Sequence, residues 1–134
     1  MPFQVTRVPN RNIIVLSAYG ELTLEQIQEA YREIASLLNT MEGLVYRITD
    51  VSDQTMTYEE MLRIVDAAVN GDAGSLTDPR IKNVWVGDGY YPLKVRELLR
   101  DRGVTIPLFG TMDEAMSAVE RMLDDQSPSP TVEG

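Results

Sequence analysis

The 134-residue sequence contains no cysteine and no histidine. Such a chain forms no disulfide and offers neither a thiol nucleophile nor an imidazole base, and it lacks the usual ligands of zinc. The remaining acid and base groups are carboxylates, lysines and tyrosines, and no pair of them has a spacing diagnostic of catalysis. We therefore expect a protein that is not an enzyme and that uses no cofactor and no metal.

Basic residues are scarce as well. Twelve Lys and Arg stand against 21 Asp and Glu, so the formal net charge is −9. This charge opposes binding to nucleic acid or to an anionic membrane, because both require clustered cations. The sequence also has no apolar run of bilayer length, and its start, MPFQVTRVPN, lacks both parts of a secretory signal. We expect a cytoplasmic protein with no nucleic-acid partner and no transmembrane segment.

The length fits a single domain, which at this size buries roughly two-thirds of its unfolded surface. The last residues, DDQSPSPTVEG, contain two Pro, two Ser and only Val132 as a large apolar residue. Such a segment buries too little surface to order itself. The sequence therefore predicts one domain over residues 1–124 and a disordered tail over residues 125–134.

The segment Gly43–Met61 shows the local organisation best. Leu44–Val51 mixes β-branched and large apolar residues with few polar breaks, which is typical of an interior strand that is covered on both faces. Thr57 and Glu60 have the spacing of a capping box, and Met56 can pack on the first turn that follows. The segment therefore predicts a strand, a short acidic turn and a helix that begins after Thr57 and ends near Asn70 and Gly71.

Upstream, Phe3–Val8 and Asn12–Ala18 flank the turn-forming residues Pro9, Asn10 and Arg11. They predict a hairpin whose first strand lies at an edge of the sheet. Downstream, Ile81–Val86 predicts the next strand, and Val104–Phe109 predicts the last one. Pro107 cannot donate to a ladder, so it indicates either an edge position or the end of that strand.

Helices are predicted between these strands. They begin at Thr23 with its capping partner Gln26, at Thr57, at Pro92 as the first helical residue, and at Thr111 with Glu114. Helical crossovers imply parallel strands. The predicted fold is α/β, with the order ββαβαβαβα, a mixed and mostly parallel five-stranded sheet, and four helices.

Four segments carry a resemblance to a known family: Gly20–Thr23 (GELT), Val45–Asp53 (VYRITDVSD), Lys82–Asp88 (KNVWVGD) and Pro107–Leu123 (PLFGTMDEAMSAVERML). Together they resemble the SpoIIAA-like branch of the STAS domains, whose fold is related to that of the CRAL-TRIO proteins. The resemblance implies a non-enzymatic regulatory module that acts through protein–protein interaction. The lipid-holding CRAL-TRIO proteins imply an alternative, a carrier or sensor of a small apolar or amphipathic ligand.

One family motif is missing. STAS domains of this branch carry an Asp-Ser-Ser-Gly segment at the start of the second helix, where a serine is phosphorylated. Here either Glu59 or Thr57 falls at that position, depending on the alignment, and Thr57 is already explained as an N-cap. The phosphorylation switch is therefore not carried over to this chain.

Two groups of polar residues are candidate binding sites. The first surrounds the predicted end of the central strand, where open α/β sheets bind ligands. Its oxygens could hold a polar ligand or a hard cation, although turns formed by Asp, Ser and Thr side chains explain the same residues. This group is Asp50, Ser52, Asp53, Thr55 and Thr57.

The second group begins at the turn Gly87-Asp88-Gly89, which lacks the spacing of a dinucleotide-binding loop. Residues 80–102 hold six of the twelve basic residues against three acids, a net +3, so the rest of the chain carries −12. Such a surface would suit an acidic protein partner or the acidic first helix of a second copy in a homodimer. The residues of this group are Asp88, Tyr90, Tyr91, Arg96 and Arg100.

The seven methionines leave one further alternative open. Methionine is adaptable enough to line a ligand pocket between helices and sheet, but it is equally ordinary as core filler. Core filler is the interpretation that the sequence favours.

Overall fold

The computed structural model describes residues 3–70 and 73–126. Its elements follow the predicted order ββαβαβαβα. They are β1 (Phe3–Arg7), β2 (Ile13–Gly20), α1 (Leu24–Leu38), β3 (Val45–Gln54), α2 (Tyr58–Ala68), β4 (Ile81–Val86), α3 (Tyr90–Arg100), β5 (Leu108–Phe109) and α4 (Met112–Gln126).

The five strands form one sheet in the order β1-β2-β3-β4-β5. The pair β1–β2 is antiparallel, and the other three pairs are parallel. The sheet is therefore mixed and mostly parallel, as predicted, with β3 in its interior and β1 and β5 at its edges. The strand order itself did not follow from the sequence.

The helices divide unequally between the two faces of the sheet. Because β2 to β5 follow one another in order, right-handed crossovers place α1, α2 and α3 on the same face, which we call the front face. The buried clusters agree: Ile34 of α1 packs with Ile14, and Leu99 of α3 packs with Trp85. On the opposite back face, Val119 of α4 packs against Ile48.

Side chains of β3 alternate between these two faces. Val45 and Val51 belong to the front-face clusters, whereas Tyr46 and Ile48 belong to the back-face cluster. Arg47 and Thr49 therefore point to the front face, in line with Val45 and Val51. The prediction of an interior strand covered on both faces is confirmed.

The helix starts follow the predicted chemistry in three of four cases. Thr23 and Thr57 form complete capping boxes with Gln26 and Glu60. The Thr111 hydroxyl accepts from the backbone N–H of Glu114 at 3.2 Å. These contacts satisfy donors that the first turn of a helix leaves unpaired.

The start of α3 corrects the prediction for Pro92. The helix begins at Tyr90 after Gly89, so Pro92 is its third residue and not its first. The proline is tolerated there because the first four N–H groups of a helix have no partner inside the helix.

The last strand is shorter than predicted. β5 comprises only Leu108–Phe109, whereas the sequence predicted a strand from Val104. Pro107 contributes its carbonyl, which accepts from the N–H of Trp85 at 2.9 Å, but it has no N–H to donate. The hydrogen-bonded ladder between β4 and β5 therefore ends at Pro107 and does not continue toward Val104.

Two element ends differ from the prediction by two residues. α2 ends at Ala68 with Val69 as its C-cap, before the predicted Asn70, while Gly71 lies outside the described residues. α4 continues through Gln126, and residues 127–134 of the predicted tail also lie outside them. Within residues 3–70 and 73–126, no helix has the length and apolar character needed to cross a membrane.

Candidate functional site

An apolar recess lies between the front face of the sheet and the helices α1, α2 and α3. Its cavity volume is about 70 Å³, and the empty space between its lining residues, open solvent included, is about 720 Å³. The strands contribute its floor, and the helices and the β3–α2 connection contribute its walls. Lining residues include Leu16, Thr49, Val51 and Trp85 from the strands, and Tyr31, Met56, Val65 and Tyr91 from the walls.

Two polar atoms lie on the floor of this recess. Thr49 and Trp85 are partners across β3 and β4, and both side chains are more than nine-tenths buried. Their Oγ1 and Nε1 atoms find no hydrogen-bond partner within the described residues. The indole can only donate, whereas the hydroxyl can donate or accept. Leaving such atoms unpaired costs about 1–3 kcal/mol each, and each atom exposes less than 1 Å², so both are enclosed within the floor and not presented to the recess.

The recess opens near the carboxyl ends of the central strands. Gln54 ends β3 and Tyr91 lies in the first turn of α3, and both lining residues are half-buried. A bulge precedes this opening, because β3 advances from Asp50 to Asp53 while β2 advances only from Ser17 to Tyr19. Bulges re-aim side chains at such places, and parallel sheets commonly bind ligands at this end.

A buried cation occupies the next position along the floor. Arg47 is fully buried, and its Nε and Nη2 atoms donate to Asn83 Oδ1 at 3.0 and 2.8 Å. The guanidinium also donates to the backbone carbonyls of Gly74 and Ser75. It lies 5.5 Å from the centre of the Tyr31 ring, which lines the recess. The hydrogen bonds of Arg47 thus hold the segment between α2 and β4 against the sheet.

Within the described residues, Arg47 has no carboxylate as a hydrogen-bond acceptor. Burial lowers the pKa of Arg47, and burial also raises the pKa of Tyr31, against the smaller effect of the nearby Arg47 charge. Among the described acids, the nearby charge of Asp78 raises the pKa of Arg47, but this carboxylate is bonded to other groups. Its carboxylate pairs with Arg80 at 2.8 Å and accepts from the N–H of Gly74.

The first predicted group of site residues does not line the recess. The Asp50 carboxylate accepts from the Ser52 N–H at 3.0 Å, and Ser52, Asp53 and Thr55 are exposed. Thr57 serves as the N-cap of α2. In the part of the chain that the structure describes, no three acidic residues are grouped as a metal site requires. A binding role for these residues stays a prediction, while Gln54 and Met56 of the same segment do line the recess.

Of the second predicted group of site residues, only Tyr91 lines the recess. The exposed Tyr90 packs edge-on against it at 5.6 Å. Asp88 and Arg100 are exposed, and Arg96 is half-buried. The binding role of this group beyond Tyr91 stays a prediction.

The basic surface predicted around α3 is smaller than its sequence suggests. Salt bridges join Arg80 to Asp78, Lys94 to Glu97, and Arg102 to Asp66. Arg96 and Arg100 form no salt bridge within the described residues. Half of the six cations are therefore neutralised inside the chain.

Sequence reasoning did not single out Arg47, Thr49 or Trp85. A signal was present, because the strand VYRITDV places a cation and a hydroxyl two residues apart, where both faces were expected to be buried. Buried polar side chains on one face of a core strand require partners. The partner positions of Trp85 and Asn83, in contrast, follow only from the register between β3 and β4.

Comparison with known proteins shows the fold and no more. No family model matches the chain, and no curated protein matches it in sequence. Among solved structures, an uncharacterized protein of the DUF3478 family from Shewanella loihica PV-4, described as having a SpoIIAA-like fold, is 11% identical with a TM-score of 0.57. That match covers 86% of this chain and 90% of the other.

The anti-sigma factor antagonist SpoIIAA, in its unphosphorylated form, is 14% identical with a TM-score of 0.58. The match covers 90% of this chain and 97% of SpoIIAA. Both comparisons agree with the order and topology of the elements described above. The chain therefore has a SpoIIAA-like, STAS-type fold, as the resemblance of its sequence implied.

Proposed function

We propose that this chain is a non-catalytic regulatory module that binds a small amphipathic molecule in the front-face recess. The apolar part of the ligand packs against the aliphatic and aromatic walls, and its polar end faces solvent. The observation that carries this proposal is a recess between the sheet and three helices that is lined almost entirely by aliphatic and aromatic side chains.

The character of the recess supports binding over catalysis. Ligand sites are typically apolar cavities with a few convergent polar groups. Among the described lining residues there is no Asp, Glu, Lys or Arg, and the ionisable groups there are the hydroxyls of Tyr31 and Tyr91. A regulatory role is supported by the shared fold with SpoIIAA, which is named as an anti-sigma factor antagonist.

Native mass spectrometry of the protein purified from its own host tests this proposal. We expect a retained small molecule, and we expect Tyr91→Ser and Val95→Ser, which change half-buried side chains that line the recess, to reduce its occupancy while the protein stays folded. Thr55→Val is the matched control, because Thr55 is exposed and lies outside the recess. Equal occupancy in the wild type and in both recess variants would contradict the proposal.

A protein partner is the second candidate function. Tyr58, Tyr90 and Leu93 are large side chains that remain 48%, 63% and 49% exposed at the starts of α2 and α3. Tyr90 packs against Tyr91, which lines the recess, and aromatic residues are enriched where proteins meet. If this surface binds a partner, Tyr90→Ser with Leu93→Ser should abolish a copurified protein and leave the small molecule in place.

A further inference from the structure

The strands β2, β3, β4 and β5 all end at the same edge of the sheet. Ser17, Asp50, Val86 and Phe109 are partners in one row across these strands. Beyond this row each strand ends, the chain turns, and a helix begins, so the first turns of all four helices lie at this edge. We call this surface the acidic edge, and it consists of residues 17–27, 50–61, 86–93 and 109–115.

The charge of the chain is concentrated on the acidic edge. Its four segments contain nine Asp and Glu and none of the twelve Lys and Arg. Their formal charge of −9 equals that of the whole chain, so the remaining residues are neutral on balance. The helix dipole favours acids in a first helical turn, but it does not exclude Lys and Arg from the strand ends and turns that precede the helices. A surface of one sign attracts a partner of the opposite sign.

The acidic edge also collects the exposed apolar side chains. Within the described residues, five large hydrophobic side chains are exposed, and all five lie in these segments. They are Tyr19, Leu24, Tyr58, Tyr90 and Leu93. The helix dipole does not account for them, because it acts on charges. Single exposed apolar residues are ordinary, whereas their concentration on one surface is typical of an interaction site.

One contact within the chain shows how a cation binds at this surface. The Lys94 ammonium lies 5.6 Å from the centre of the Tyr58 ring and pairs with Glu97 at 3.3 Å. A tyrosine face and a carboxylate thus hold an ammonium together. Tyr90 and Asp88 offer the same two groups two residues apart, and Asp88 forms no salt bridge within the described residues.

We infer that the acidic edge binds a cationic amphipathic segment of a protein partner, in which Lys or Arg residues stand beside apolar ones. The inference rests on the second candidate function, whose partner it describes, and not on a ligand in the recess. Apolar side chains of the segment cover Tyr58, Tyr90 and Leu93, and its cations meet the acids between them. Three strand spacings separate β2 from β5, or about 14 Å, so a helix of about three turns spans the edge.

Synthetic peptides of about twelve residues test the two parts of this inference. The first peptide has Leu and Lys at helical spacing, the second has Glu in place of Lys, and the third has Ser in place of Leu. Fluorescence anisotropy of the labelled peptides measures their binding to the full chain. We expect the Leu/Lys peptide to bind, and to bind less tightly at high salt. The Leu/Glu peptide should not bind, and the Ser/Lys peptide should bind at least roughly tenfold more weakly.

A pair of charge variants locates the binding. Asp53→Asn with Asp88→Asn removes two exposed acids of the acidic edge and should weaken the Leu/Lys peptide several-fold. Glu42→Gln with Asp101→Asn is the matched control, because it removes the same charge from two exposed acids at the opposite edge. An equal loss in both double variants would overturn the inference, since net charge alone would then explain the binding.

An apolar variant completes the test. Tyr90→Ser with Leu93→Ser should weaken the Leu/Lys peptide at least roughly tenfold and should leave a small molecule retained by the recess in place. Unchanged peptide binding in this variant, or no binding of the Leu/Lys peptide to the wild type, would overturn the inference and leave the ligand proposal standing. A wild type that binds the peptide as expected and retains no small molecule would support the inference and contradict the ligand proposal.

Discussion

The guanidinium of Arg47 lies 5.5 Å from the centre of the Tyr31 ring, so one aromatic side chain joins a buried cation to the wall of the recess. Gly74, whose carbonyl accepts from Arg47, is packed closely against the backbone of Tyr31. A Cβ added at Gly74, whose φ is +80°, would lie 2.2 Å from the backbone oxygen of Tyr31. The segment after α2 therefore lies directly against α1. The carbonyls of Gly74 and Ser75 in this segment accept hydrogen bonds from Arg47.

Replacing Arg47 tests how much of the stability depends on this arrangement. Arg47→Met should lower the free energy of unfolding by about 3 kcal/mol or more, because it leaves buried carbonyls and the Asn83 amide without their donor. Arg47→Lys should not restore the loss, since an ammonium cannot reproduce the planar fork of donors. Urea denaturation measures both variants. A loss below about 1 kcal/mol for Arg47→Met would contradict the anchoring role.

Acid should weaken the same region through Asp78. The hydrogen bond from Arg80 is the main cause that lowers the pKa of Asp78 to about 2. A carboxyl group whose pKa is depressed on folding stabilises the protein above its unfolded pKa, and this contribution is lost as the pH falls through the folded value. The window is therefore from about pH 4 down to about pH 2, and the loss should be about 2 kcal/mol.

Other carboxyl groups titrate in the same window, so the comparison requires a variant. Asp78→Asn cannot ionise, and the difference in unfolding free energy between it and the wild type should be largest near pH 6 and should shrink toward pH 2. Urea denaturation at several pH values measures this difference. A difference that stays constant from pH 6 to pH 2 would show that the Asp78 charge contributes nothing.

The helix caps give a third prediction. Thr23→Ala, Thr57→Ala and Thr111→Ala should each lower the free energy of unfolding by about 0.5–2 kcal/mol, because each removes an oxygen that accepts an unpaired N–H. Thr105→Ala is a control, since Thr105 is exposed and caps no helix. If Thr57→Ala kept full stability and abolished partner binding, its role would be regulatory and not that of a cap.

Local chemistry made most of the fold predictable. Capping boxes, the apolar periodicity of the helices, and the β-branched and large apolar residues of β3 act within a few residues, and all of them are legible in the sequence. Pro92 and Pro107 were harder to place. Proline is compatible with several positions in the first turn of a helix, and its effect on a strand depends on which neighbour the strand meets.

The recess was less predictable because its parts are far apart in the chain. Thr49 and Trp85 meet only through the register of β3 and β4, and no spacing in the sequence encodes that register. The first predicted group of site residues lies at the carboxyl end of β3. It was chosen for its exposed carboxylates, which are conspicuous as ligands. Gln54 and Met56, which line the opening, lie among those same residues.

The basic side of α3 gives the last prediction. Arg96 and Arg100 are four residues apart and form no salt bridge within the described residues, while Lys94 and Arg102 are paired. If this surface meets an acidic partner, including α1 of a second copy, Arg96→Glu with Arg100→Glu should weaken association, and the loss should shrink at high salt because exposed charges are screened.

Sedimentation velocity of the wild type and the double variant at two salt concentrations measures self-association. Lys82→Glu, an exposed change of the same sign on β4, is the control. Identical profiles in every sample would exclude self-association through this helix, and the unfolding free energy should then change by no more than about 0.5 kcal/mol.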